Sequence, residues 1–315
     1  MRFKPSEALR FLGGLAIIAM VLGFVVLRVT SCAPVPPRPA PQAIPIAPPS
    51  PPPAPLPPAQ ARAEPCGEGP AAAAQANAAS LRTLAWSPFG RAETGWETYA
   101  PLIAREIRTA CDPASPGFAA ALAAWQSAQR LTADGVLTAP VFNRLKGVVQ
   151  TRRAFVQLSA RGVCPNPPAE GALAGAERAE GYAGKAIQLR PGALAAYRRM
   201  AAAARAQDRA VAADPRNLTI FSGYRSPAAD AERCAREHNC NGVVRATCSP
   251  HRTGLAMDLY VGQAPGFGPD STADPNRLFM SHTAAYRWLV ANADRFGFVP
   301  YPFEPWHWEW TGEAP

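Results

Sequence analysis

Between Ala33 and Pro65 the chain is mostly Pro, Ala and Gln, and this stretch holds a large part of the 36 prolines among 315 residues. Proline fixes φ and offers no backbone N–H, so such a run cannot build helix or central strand and buries no core. It reads as a polyproline-type spacer of residues 33–65. At about 3.1 Å per residue it can reach on the order of 100 Å. The spacer leaves a short N-terminal segment on one side. On the other lies a stretch from residue 66 onward, long enough for two modest domains.

The N-terminal segment, 1–32, carries Arg2, Lys4 and Arg10, then no charge from Phe11 to Leu27. That is the short limit for a membrane-spanning helix. The basic flank keeps the N-terminus in the cytoplasm and sends the rest of the chain outward. Two fates are open. Val29-Thr30-Ser31-Cys32 fits a lipobox with an acylated Cys32, whereas Arg28 interrupts the apolar run and favours an uncleaved signal anchor. Either one predicts membrane attachment through the N-terminus, to the inner or the outer membrane.

Export also changes how the cysteines read. Cys66, Cys111, Cys164, Cys234, Cys240 and Cys248 lack CxxC spacing, so disulfides are expected rather than a structural metal site. Three fall in each half, which requires at least one bridge between halves. Two of Cys234, Cys240 and Cys248 are expected to pair locally. The net charge of +9 is partly spent at the membrane end, and the remaining basic residues are scattered without interleaved aromatics. That excludes a nucleic-acid-binding face.

Chemistry concentrates in two C-terminal stretches. Ser249–Asp258 reads SPHRTGLAMD, and Glu304–Trp310 reads EPWHWEW. After Gly254, Leu255, Met257 and Leu259 alternate with Ala256, Asp258 and Tyr260, the pattern of a half-buried strand. Asp258 then lies opposite the leucines. Glu304 and His307 are three apart, so in a regular strand they face opposite sides. Both serve one site only if the backbone turns near Pro305. Two imidazoles and one carboxylate around an open position, with a free carboxylate nearby, are the composition of a catalytic zinc site. The same residues also suit a plain salt bridge and a histidine packed among tryptophans.

SxHxxGxAxD followed by ExWH, with SGYRS upstream at Ser222–Ser226, resembles the zinc D-Ala-D-Ala carboxypeptidases of the VanY type. The resemblance implies an α+β domain over 191–315, with a small antiparallel sheet carrying Zn2+. His251, Asp258 and His307 would be its ligands and Glu304 the catalytic base. Arg225 would steady the scissile carbonyl oxygen or the substrate carboxylate, and Ser249, Tyr224 and Asp230 would contact substrate. Asp230 is a departure, because family members often carry Gln there. Glu309 is a lesser rival for the base, since it follows His307. The implied substrate is a peptidoglycan stem peptide, cleaved by carboxypeptidase or endopeptidase action at the periplasmic face of a bacterial envelope. The alternative is an inactive wall-binding or scaffolding protein. An extensin-like relative is disfavoured by EPWHWEW.

Residues 66–165 read as an all-α module, with helical spacing over Tyr99–Thr109, Gly117–Arg130 and Thr138–Val149. Trp125-Gln126, Leu131, Asp134-Gly135 and Leu137 resemble the pattern of small three-helix peptidoglycan-binding domains; a helical bracing module is the other reading. Residues 166–190 read as an irregular connector, and Pro191 opens a helical stretch to about Ala213. His238 and His282 belong to no motif. Trp306, Trp308 and Trp310 are expected to pack core.

Overall fold

The computed structural model describes residues 65–169, 171–238, 240, 243 and 246–315. The anchor or lipoprotein signal and almost all of the proline-rich spacer lie outside the described residues. Among the described residues, no helix is long and apolar enough to cross a membrane.

The first part is mostly helical but not the all-α unit expected, because a short strand pair sits among its helices. Helices α1 (Ala71–Ser80), α2 (Ala100–Glu106), α3 (Pro116–Ala128), α4 (Ala139–Gln150) and α5 (Ala154–Ser159) surround a short pair, β1 (Ala85–Trp86) with β2 (Glu93–Thr94). The Ser115 and Thr138 side chains cap α3 and α4, each with Pro in the first turn, where a missing N–H costs nothing. The segment expected to be helical to Thr109 ends at Glu106, and Arg108 takes a positive φ. Trp96, Tyr99, Ile103, Phe118, Leu122 and Phe142 form the centre of this core.

Within the connector, β3 (Ala174–Gly175) pairs with β4 (Gln188–Leu189). The expected stretch from Pro191 to Ala213 is two helices, α6 (Pro191–Gln207) and α7 (Arg209–Ala213). Asp208 divides them because its carboxylate accepts from the N–H groups of Ala210 and Val211, starting a new helix in place of continuing the old one. Strand β5 is Ile220–Ser222, later than Leu218, which has a positive φ. After α8 (Pro227–Arg236) come β6 (Ala256–Leu259), α9 (Asp274–Ser281), α10 (Ala284–Asn292), β7 (Phe298–Tyr301) and β8 (Glu304–Trp310).

The four long-range strands make one antiparallel sheet in the order β5-β6-β8-β7. An α+β architecture is therefore what the chain adopts. One sheet face packs Met257, Leu259, Trp306 and Trp308 against Tyr197, Met200 and Ala201 of α6 and Tyr286 and Leu289 of α10. The alanines of α6 allow the close approach. Trp310 is partly buried at the edge of this core.

Strand β6 is buried along its whole length, not half-buried as the alternation suggested. The reason is that its second face is also covered, by residues 250–253, which set His251 against Asp258, and by Arg225. Arg153 reaches from the end of α4 to Glu309 of β8, which pairs with Ala256 of β6. A second buried contact joins the same two parts. Arg277 of α9 donates to Glu93, to the Tyr99 hydroxyl and to the carbonyl of Phe303. The described residues accordingly lie in one compact unit.

The disulfides are Cys66–Cys111, Cys164–Cys248 and Cys234–Cys240. Cys234–Cys240 is the expected local pair. Cys164–Cys248 is the required bridge between halves, and it fixes the chain immediately before Ser249.

Candidate functional site

The site is assembled by three short pieces of backbone. Ser249 caps a single 3-10 turn, Pro250–Thr253, by accepting from the N–H of His251. Gly254 ends the turn at φ +71°, where an added Cβ would lie 2.8 Å from the Leu173 side chain. Both the left-handed conformation and the tight approach call for glycine. The turn delivers His251 to the sheet beside β6. On β6, Asp258 stands directly opposite His307 of β8, so their side chains share one face.

Glu304 reaches the same place through a wide irregularity. Pro300 pairs with Trp308, yet the next residue, Tyr301, pairs with Glu304. Three residues of β8 thus bulge out against β7, and the odd spacing of Glu304 and His307 no longer separates them. Glu304 Oε2 lies 3.9 Å from His307 Nδ1.

His251, Asp258 and His307 are buried, and one potential donor atom of each lies within 4.8 Å of the others. His251 Nε2 is 3.2 Å from Asp258 Oδ1, and His307 Nδ1 is 2.9 Å from the same oxygen. The outer ring atoms are held as well. His251 Nδ1 lies 2.7 Å from the carbonyl oxygen of Gly223, so its proton belongs there. His307 Nε2 lies 3.2 Å from Glu309 Oε1 and donates to it. Both rings then turn their remaining nitrogen toward Asp258.

The electrostatics make that convergence meaningful. Burial, aided by the charge of Arg225, lowers His251 to about 4, so the ring is neutral near pH 7. Its Nε2 presents a lone pair to a carboxylate oxygen that also offers only lone pairs. Two acceptors at that distance repel unless positive charge lies with them. Burial also opposes charging of His307, but hydrogen bonds to Asp258 and Glu309 outweigh it and raise the ring to about 9. Burial disfavours the Asp258 carboxylate, yet the two histidines keep it well below the usual carboxylate range. Two nitrogens and one carboxylate oxygen, oriented from outside, fit Zn2+ with an open position. Cations that prefer oxygen-only shells fit this donor set less well.

The other expected residues line an open groove of ≈1370 Å³ over the triad, among them Tyr224, Arg225, Asp230, Ser249 and Glu304. Arg225 donates through Nε to Asp230 Oδ1 at 2.8 Å, and its terminal nitrogens donate to Ser222 and Ser249 at 2.6 and 3.1 Å. It lies 4.0 Å from Asp258 Oδ2. The second Asp230 oxygen is buried with no hydrogen-bond partner among the described residues. His282 is exposed at the end of α9, 3.4 Å from Glu97, and His238 follows α8; neither joins the triad.

Three contributors play parts that the sequence did not assign. Glu309 was weighed as a rival base, but it lies on the outer edge of the His307 ring, held by Arg153 and ionised down to about 2: burial opposes its charge and Arg153 more than offsets that. Arg153 belongs to no motif. Tyr301 lies under the Arg153 guanidinium, 4.5 Å from its ring centroid.

Residues 186–313 match the family model described as VanY, D-alanyl-D-alanine carboxypeptidase, the family that SGYRS, SPHRTGLAMD and EPWHWEW resemble. Solved structures similar to this chain include VanYB in complex with D-Alanine-D-Alanine. It is 24% identical, with 47% of this chain and 82% of that one covered and a TM-score of 0.30. Another is a glutamate-to-alanine mutant of the vancomycin resistance D,D-pentapeptidase VanY from a VanB-type resistance cassette, in complex with Zn(II). It is also 24% identical, covering 47% and 84%, with a TM-score of 0.28. No curated protein matches the chain.

Proposed function

We propose, with the VanY-type match of residues 186–313 as premise, that the chain is a zinc-dependent peptidase acting on D-Ala-D-Ala-type bonds of peptidoglycan stem peptides. The observation that carries this reading is the convergence of His251, Asp258 and His307 beneath an open groove. Zinc held there would supply Lewis acidity toward the scissile carbonyl and toward a nucleophilic water. Glu304, beside the metal-facing edge of His307, takes the proton from that water and delivers it to the leaving nitrogen. Arg225 is fixed by Ser222, Ser249 and Asp230, so its guanidinium is preorganised toward negative charge developing on the carbonyl oxygen.

The N-terminal sequence supports a tethered enzyme on the periplasmic face of the envelope, with the spacer giving reach toward the wall. The helical unit is a wall-binding module or a brace; the buried contacts of Arg153 and Arg277 favour the brace.

Incubating the purified chain and zinc with defined muropeptides, then weighing the products, tests the reading. Loss of one terminal alanine identifies a carboxypeptidase, and cleaved cross-links identify an endopeptidase. Zinc bound at the site with neither product would support the inactive scaffold instead.

A further inference from the structure

We infer that Arg153 is a positioning residue for His307, so that the helical unit completes the metal centre from outside the family-matched residues 186–313. The inference rests on the zinc reading above.

The chain of contacts runs from the end of α4 to the triad. Arg153 donates through Nε to Glu309 Oε1 at 2.8 Å, and its Nη2 donates to the same oxygen. That oxygen receives the His307 Nε2–H at 3.2 Å, and the opposite ring nitrogen faces Asp258. Arg153 and Glu309 are each only 4% exposed, so neither charge has water to fall back on. Arg153 is itself held, with Nη1 donating to Gln150 at 2.5 Å and its plane over Tyr301.

Each member needs the next. A buried carboxylate without its partner would turn away from this position. Arg153 fixes the Glu309 oxygen that His307 uses. A fixed acceptor on Nε2–H orients the His307 ring and aims Nδ1 at the donor cluster. Outer partners of this kind commonly alter metal affinity by about 10- to 100-fold. A domain cut at the family boundary lacks Arg153 and leaves Glu309 uncompensated.

The plain alternative is that Arg153 only glues the two parts together, and the test separates them. Zinc dissociation constants are measured by chelator competition, with the absorption spectrum of the cobalt-loaded protein as a second readout. Arg153→Leu is expected to weaken zinc about 10- to 100-fold and to change the cobalt spectrum. Arg153→Lys, with charge but no fork, is expected to fall between it and the parent, and serves if the leucine variant does not fold. In a Glu309→Gln background the neutral amide needs no counter-charge, so adding Arg153→Leu should cost little further affinity. Phe142→Leu, in the helical core away from the site, loosens the same unit without touching this chain of contacts and should leave zinc affinity unchanged.

Unchanged zinc affinity in both Arg153 variants would overturn the inference. So would an equal loss in Phe142→Leu, since that would be general loosening. A parent protein that binds no zinc fails the reading of the site itself, a result visible before any variant is compared.

Discussion

In the helical unit, Gln126 donates to Asp134 and to the Val136 carbonyl while its own oxygen accepts from the N–H of Gly135. Asn77, fully buried, closes the same loop through Gly135 and Leu137. In the sheet, His251 and His307 instead have their outer ring nitrogens tied down and their inner nitrogens aimed at one oxygen of Asp258. Both sets are buried polar motifs. One is satisfied by the chain alone, and in the other the neutral His251 ring sets a lone pair against an Asp258 oxygen, an arrangement that calls for a cation. The difference separates a motif that holds a loop from one that holds a ligand: the test is whether donors and acceptors balance.

The largest effects belong to the unbalanced set. His251→Ala with His307→Ala should abolish zinc binding, checked by metal analysis of the purified variant. Glu304→Ala should keep zinc and lose about 10²- to 10⁴-fold in turnover, the usual worth of a positioned base. If Glu304→Ala emptied the site while His307→Ala kept its metal, the roles given to these two residues would be reversed.

Next in size is the contact between the parts. Arg277 is buried against Glu93, Tyr99 and Phe303. Arg277→Met removes one partner of a buried ion pair and should cost about 3–5 kcal/mol, read from denaturant unfolding. A loss below about 1 kcal/mol would show that the two parts are coupled far more weakly than this geometry implies. Gln126→Leu comes third. Leaving the buried Gly135 N–H without its partner should cost about 1–3 kcal/mol. Per folded molecule, its turnover should match the parent. A kinetic defect there would mean the loop network does more than hold a loop.

Why the sheet was legible from the sequence and the junction was not follows from how each is encoded. His251, Asp258, Glu304 and His307 sit in short stretches where a glycine, a strand alternation and a proline leave local traces. Those stretches carried the resemblance to the VanY type, and the resemblance implied the α+β fold and the zinc set. Arg153 and Glu309 are 156 residues apart, and no local pattern links them. Strand β6 shows another limit. Its alternation predicted a half-buried strand, but His251, His307 and Arg225 close around Asp258 on the second face. Asp208 shows a different limit, since an alanine-rich stretch hides a cap that only the carboxylate reveals. In the helical unit Gln126 and Asp134 stood out in the sequence as motif residues, but their internal hydrogen bonds did not.

The smallest effects give the finest version of the comparison, because two equal caps sit in the two parts. Thr138 accepts from the N–H of Val141 at 3.4 Å to start α4, and Ser226 accepts from Ala229 at 3.2 Å to start α8. Replacing either by Ala should cost about 1 kcal/mol of stability. Their consequences should nevertheless differ. Helix α8 carries Asp230, whose carboxylate receives Arg225 Nε, so fraying its first turn loosens the guanidinium that faces the groove. Helix α4 near Thr138 carries nothing that reaches the triad, because Arg153 lies beyond its far end. Ser226→Ala should therefore lower kcat/KM several-fold at a temperature where both variants are folded, and Thr138→Ala should leave it at the parent value. Equal kinetic losses at equal stability would mean that turnover follows overall rigidity, and the division between a self-satisfied unit and a ligand-seeking one would lose its functional content.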